Sequence, residues 1–348
     1  MSKPALSRRD FLKAGMWGAS GLAGLAALTA GPAQQGGPTP TPTGPANGTG
    51  HNQHGPGGPV MPNFNGDVNH AANGFNPTDH LTDFDYGEVS TLPSGQTLRD
   101  YRVFSGDKTI EVAPGILYPA WLYNGRLPGP TLRAQEGDRL RIHFTNGSVH
   151  PHTMHFHGIH PSNMDGVFEA VQPGETFVYE FDAEPFGLHL YHCHTQPLAK
   201  HIAKGLYGAF IIDPPAGRPP ARELVMVMHG LDIDFDDEND FYAVNGIPFH
   251  YHNNPIPIKV GELVRIYLVN ILEFDQINSF HLHANFFQYY PTGTSLTPSE
   301  YTDTIIQGQA QRGILEFRYK YPGLFMFHAH KTEFADLGWA GLFSVEEG

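Results

Sequence analysis

The chain has 348 residues, 21 of them His and one Cys, with 40 Gly, 30 Pro and only 16% charged side chains. A single cysteine excludes an intramolecular disulfide framework and a thiolate-only zinc site, and a net charge of −14 leaves no basic field to collect nucleic acid. At 40% hydrophobic and 12% aromatic the chain can bury real cores and suits about two domains, while the histidine surplus points toward metal.

The chain opens on Ser7-Arg8-Arg9-Asp10-Phe11-Leu12-Lys13, followed by an uncharged, Gly/Ala-rich stretch from Ala14 to Ala30. Residues 1–30 resemble a twin-arginine export leader, with cleavage expected after Ala30 and a periplasmic or secreted product. As a membrane span the stretch is short and, with Gly15, Gly18, Gly21 and Gly24, weakly apolar. Residues 31–82 read as a disordered tether rich in Pro, Gly, Asn and Thr, in which apolar burial cannot offset ordering entropy. Its histidines, His51, His54, His70 and His80, leave copper collection as the rival reading.

From Asp83 onward, short β-branched and aromatic runs are separated by Gly/Pro/Asn turns. Strands are predicted over 131–135, 139–144 and 176–181, no segment sustains a helical period, and the fold class is all-β, sandwich or barrel. Residues 83–215 carry, in order, LPGPTL, EGDRLRI, HFH, HCH and GAFII. Residues 216–348 answer with VNGIPF, VGELVRI, HLH, HAH and GLFSV, and the Pro-rich run at 214–220 makes a linker. Two tandem copies of one β fold follow.

Four His-X-His pairs lie at matching places in the repeats: His155/His157, His192/His194, His281/His283 and His328/His330. Residues i and i+2 of a strand share a face, so each pair presents two imidazoles side by side. Eight imidazoles suffice for several metal ions, and imidazole suits copper and zinc alike. Cys193, between His192 and His194, projects to the other face, into its own domain. His152, three before His155, also reverses face, and His201 follows Cys193 by eight. One Cys with two His matches the ligand set of a trigonal blue-copper electron-transfer site.

The stretches HTMHFHG, HLYHCHTQPLAKHIAKGLYGAF, NSFHLHANFF and FMFHAHKTEFADLGWAGLF resemble the copper motifs of multicopper oxidases, specifically the two-domain, small-laccase-like members, over about residues 100–348. The resemblance implies two tandem cupredoxin-like Greek-key domains. It implies one type 1 copper on His152, Cys193 and His201, with the axial place taken by Leu206, which cannot ligate, and a raised potential. It implies one type 2 copper on His155 and His281, and two type 3 coppers on His157, His192, His194, His283, His328 and His330. In the second repeat, Asn278 stands against His152 and Ala329 against Cys193. By resemblance to the intact motif, Phe334 stands for the type 1 His and Trp339 for the axial residue, so blue copper is expected in the first domain only.

The activity so implied is one-electron oxidation of a small reducing substrate coupled to reduction of dioxygen to water, with Cys193 linking the type 1 site to His192 and His194. Asp165 fits the place of a family carboxylate that supplies protons, and equally reads as an Asp-Gly turn; Glu333 is a second acid. His150, His160 and His189 lie off the pattern as supporting or surface groups. Each domain supplies four cluster histidines, and in the family these halves meet head-to-tail in a homotrimer. One rival, a copper nitrite reductase, needs three histidines at a single type 2 site and carries Asp where this chain has His155. The other is a non-enzymatic copper-binding protein, whose relatives have lost cluster ligands. The substrate is read as a phenol or aromatic amine, or alternatively cuprous or ferrous ion. The acidic run 232–239 suits cation binding or a solvated loop.

Overall fold

The computed structural model describes residues 68–348; the leader expected over 1–30, and the tether as far as residue 67, lie outside the described residues. The tether expectation needs correction over its last part, since residues 68–82 are ordered. Two short helices, His70–Asn73 and Pro77–His80, are capped by the residue types that suggested disorder. Asn69 and Asn76 each accept from a backbone N–H of the first turn at 3.0 Å, Pro77 sits at a helix start, and Gly74 ends the first helix at φ 73°. Val68, Phe75 and Leu81 are buried. The segment straps both halves of the chain. Asn73 exchanges side-chain bonds with the Glu111 backbone at 2.8 Å, while Pro77 O accepts from Tyr251 Oη at 2.6 Å and Leu81 O from Val225 N at 2.9 Å.

Beyond the strap the chain is built of strands, as expected. Strands Thr131–Gln135, Arg139–Asn146 and Thr176–Asp182 fall where the β-branched runs place them. Alternation explains them: in Arg139–Asn146, Leu140, Ile142 and Phe144 are buried, whereas Arg139, Arg141 and His143 are partly exposed.

Among the described residues four sheets form, two from each half, with matching connectivity. In the first half, Thr97–Ala113 pairs parallel with Arg139–Asn146 and antiparallel with Ile116–Tyr123, and Arg139–Asn146 runs antiparallel to Thr176–Asp182. The facing sheet sets Thr131–Gln135 parallel to Tyr207–Asp213, then adds Gly187–His192 and His155–Phe156 antiparallel. The second half repeats this. Arg222–Leu231 lies parallel to Val264–Asn270 and antiparallel to Phe241–Val244, and Arg312–Phe317 follows. Ile256–Lys259 lies parallel to Ala340–Glu346, and Gly323–His328, Ile277–Leu282 and Thr304–Gly308 complete that sheet. Parallel pairs inside antiparallel sandwiches require chain crossings between sheets, the Greek-key signature.

Each sandwich has its own core. One holds Tyr101, Phe144, Phe156, Cys193 and Leu206, the other Leu268, Phe280, Ala329, Phe334 and Trp339. A third core joins the halves: Leu188, Leu190, Ala209 and Ile211 pack on Val225, Val227, Val269 and Ile314. This accounts for strands that read as continuous apolar runs, since Gly187–His192 and Val264–Asn270 are buried on both faces. Each fully buried aliphatic contributes roughly 1.5–3 kcal/mol, so the shared core holds the halves firmly together.

Candidate metal centre

Cys193 follows the strand Gly187–His192, and its N–H donates to Leu206 O at 2.9 Å. His152 is held by a two-way backbone bridge to Val171, and His201 lies in the helix Leu198–Ala203. These elements bring three donors together. Cys193 Sγ is 3.2 Å from His201 Nδ1 and 3.8 Å from His152 Nδ1, and the two Nδ1 atoms are 3.1 Å apart. All three residues are buried, and His152 Nε2 has no hydrogen-bond partner among the described residues. Desolvation lowers the pKa of His152 to about 3 and of His201 to about 4, and raises that of the Cys193 thiol, against hydrogen bonds from Thr153 and Thr195. Neutral imidazole lone pairs facing a sulfur in a dry pocket suit a soft cation that stabilises the thiolate. Leu206, fully buried in the same core, offers no donor atom.

The His-X-His pairs assemble through strand register. His155 lies directly opposite His192, and His281 directly opposite His328. His157 Nε2 and His192 Nε2 are 3.2 Å apart; His283 Nε2 and His328 Nε2 are 3.0 Å apart. Each group is oriented from behind. The Nδ1 atoms of His192 and His328 donate to the carbonyls of Cys193 and Ala329, at 2.9 and 2.7 Å. His155 Nδ1 meets Asp165 O at 2.7 Å, and His281 Nδ1 meets Asp303 O at 3.0 Å and Thr304 Oγ1 at 2.8 Å. With Nδ1 engaged, Nε2 is left to face a metal ion. Desolvation holds His157 near 3 and His192 near 4, and lowers His155, His283 and His328, keeping these rings neutral. His194 and His330 stand at the rims, their rings 5.2 Å from His155 and 5.1 Å from His281, with backbone N–H groups bonded to Thr153 Oγ1 and Ser279 Oγ. Among the described residues no ring of one half contacts a ring of the other group, so a single chain presents two separate half-groups.

Asp165 Oδ1 lies 3.1 Å from His155 Nδ1 and 3.7 Å from His160 Nε2. Glu333 is exposed in the first turn of the helix Thr332–Asp336, its carboxylate 3.8 Å from Lys331 Nζ. His160 Nε2 bonds Phe156 O at 2.8 Å, and His189 Nε2 bonds Pro185 O at 2.8 Å. The acidic run folds around the buried Asp232, which accepts from the backbones of Asp236 and Asp237 at 3.2 and 3.1 Å.

The second repeat holds no counterpart of the Cys193 site. Main-chain bonds establish the equivalence. Cys193 N to Leu206 O is matched by Ala329 N to Trp339 O, and Leu206 N to His201 O by Trp339 N to Phe334 O. Trp339 Nε1 donates to Asn278 Oδ1 at 3.1 Å, and Phe334 stacks on Tyr242 with centroids 3.7 Å apart. Tyr242 is in turn the counterpart of Trp121, since each donates its N–H to the loop before the axial position, at Leu337 O and Lys204 O. Sequence reasoning passed over Trp121, whose ring lies 4.8 Å from His201 and 5.3 Å from His152. The repeat carried the signal, because WLYNG at 121–125 aligns with YAVNG at 242–246.

Two family profiles described as multicopper oxidase match residues 106–217 and 218–348. A solved structure described as a multicopper oxidase is 62% identical, with a TM-score of 0.79, over 80% of this chain and all of that one. A blue copper oxidase from Nitrosomonas europaea is 26% identical, with a TM-score of 0.62, over 72% of this chain and 86% of that one. A copper-containing nitrite reductase from Neisseria meningitidis is 27% identical over 64% of this chain. The chain spans 63% of that relative's length.

Proposed function

The chain belongs to the multicopper oxidase family, and from that membership we propose that it oxidises a small aromatic donor one electron at a time and reduces dioxygen to water. The observation that carries this reading is the pair of mirrored histidine groups, each with facing Nε2 atoms at 3.2 or 3.0 Å. His152, Cys193 and His201 would hold the type 1 copper, His155 and His281 the type 2 ion, and His157, His192, His194, His283, His328 and His330 the type 3 pair. Copper in such donor sets supplies one-electron transfer at the thiolate and dioxygen reduction at the imidazoles.

The protein's own residues set the conditions for that chemistry. Burial of Cys193 excludes water from the thiolate, and the peptide links to His192 and His194 join it covalently to the first histidine group. Asp165, bonded to His155, is placed to pass protons to that group, while Glu333 stands farther out on the surface. Because one chain presents separate half-groups, we place the complete cluster between copies, the first half of one against the second half of the next, closing as a trimer. Exposed apolar side chains support this: Phe168, three residues after Asp165, is 78% exposed, and Ile306, two residues after Thr304 on one strand, is 66% exposed. Export through the twin-arginine leader completes the reading.

Nitrite reduction is the second reading, favoured by the 27% identical relatives. His155 and His194 stand against it, because a single type 2 site has no use for either. Dioxygen uptake with a phenol, measured beside nitrite-dependent nitric oxide release, decides the matter. Stoichiometric uptake without nitric oxide is expected; nitric oxide release without uptake would reverse the assignment.

A further inference from the structure

The strap over residues 68–82 is pinned at its second helix by imidazoles from both sides of the seam. His80, from the strap, is 3% exposed, stacks on Phe75 with centroids 5.3 Å apart and bonds the backbone of Asn245. Its Nδ1 is buried and has no hydrogen-bond partner among the described residues. His250, from the short helix His250–Asn253 of the second half, is 5% exposed, and its Nε2 lies 2.8 Å from Thr78 Oγ1 of the strap. The His70 ring, also from the strap, stands edge-on to His250 at 5.1 Å.

The charges around this seam oppose a further proton. Arg126, from the turn after Ile116–Tyr123, acts on His80 and is ion-paired to Asp83. His250 also acts on His80, and His70 on His250, so each imidazolium would face another cation. Beside them Tyr251 donates to Pro77 O, and His252 is itself held low by burial. Asp79 is exposed, and no carboxylate is among the groups acting on either ring. On the first half, Lys108 is bonded to Asn73 O, and Glu111 accepts from Asn69 N at 3.1 Å. Burial accordingly holds His80 well below its ordinary value and His250 at about 4. A second proton on His80 would also need an acceptor at Nδ1, which the seam lacks.

We propose that the strap is an acid-released latch: near neutrality it clasps both halves of the chain, and protonation of His80 and His250 in acid frees residues 68–82 together with the chain N-terminal to them. Val68 and Phe75 share a core with Ile110, Val112 and Leu127 of the first half and Ile247 of the second, so release uncovers an apolar bed. The closed strap binds fewer protons than the open one, whose histidines titrate near 6.5. Closure is therefore whole above that pH and is lost as pH falls toward 4. Each histidine favours opening by about 20-fold between pH 7 and pH 5, and the two together by about 500-fold.

Hydrogen exchange of the strap amides, followed by mass spectrometry on the full-length protein and corrected for the chemical exchange rate at each pH, reads the opening constant. It should rise about 500-fold from pH 7 to pH 5, in copper-loaded and copper-free protein alike, while Arg139–Asn146 and Val264–Asn270 keep their protection. His250→Gln should cut the ratio to about 20-fold, and the double variant with His80→Gln should flatten it. Tyr251→Phe removes the bond to Pro77 O but no imidazole; it should raise opening at both pH values and leave the ratio unchanged. Where the double variant is already open at pH 7, the wild-type and His250→Gln ratios carry the decision. A wild-type ratio under about threefold, a full ratio in His250→Gln or the double variant, or strap and strands opening together in acid overturns the latch.

Discussion

Single residues divide the two repeats into a donor-bearing and a filled version of one position. Cys193 makes the difference in the first, and Cys193→Ala should abolish visible blue absorbance and turnover while far-UV circular dichroism and the histidine groups persist. Leu206 leaves the axial place without a donor; Leu206→Met should introduce a thioether and lower the type 1 reduction potential, read by spectroelectrochemical titration. In the second repeat the same volume is packed with Phe334 and Trp339, both almost fully buried. Phe334→Ala should therefore cost about 3–5 kcal/mol in denaturant melts, because it empties a filled core and strips the stack on Tyr242.

At the scale of elements, the strand and the strap each do one job. Period-two geometry puts paired imidazoles on one face, and register places His155 opposite His192 and His281 opposite His328. On Arg222–Leu231, the strand that joins the halves, His229 is buried with Nε2 accepting from Gly246 N at 2.9 Å, and desolvation lowers its pKa to about 4. The folded state therefore binds fewer protons than the unfolded chain, whose His titrates near 6.5. This contribution is whole at pH 7, falls as pH drops through 6.5, and is gone below about 4, a loss of about 3 kcal/mol. Comparing melts of the wild type with His229→Gln, the stability gap should shrink by that amount between pH 7 and 4; a constant gap would mean that His229 is not held neutral.

For the whole molecule, three extensive hydrophobic cores of apolar side chains hold the described residues together. Chelation should therefore leave the β-sheet spectrum intact while lowering Tm. The lost stabilisation is about 4 kcal/mol per site for copper at a thousand times its Kd, measured by scanning calorimetry. Because the proposed cluster is shared between copies, sedimentation should show the copper-free protein shifting from trimer toward monomer. A trimer indifferent to chelation would place the association energy in the apolar rims alone.

Much of the candidate site was legible in the chain alone. The repeat, the four His-X-His pairs, the outlying Cys193 and the erased second site at Asn278 and Ala329 are local facts, because strand alternation fixes the face of each side chain two residues at a time. What faces that side chain from elsewhere is decided by folding. Residues 68–82 became a strap because Tyr251 Oη and Val225 N, far along the chain, both donate to its backbone carbonyls. Trp121 came to rest between His201 and two lysines, and the two histidine groups of one chain came to stand apart, because the shared core docks the halves by their outer sheet faces. Donor identity and spacing are written along the chain; which surfaces meet depends on long-range burial, which no local period encodes.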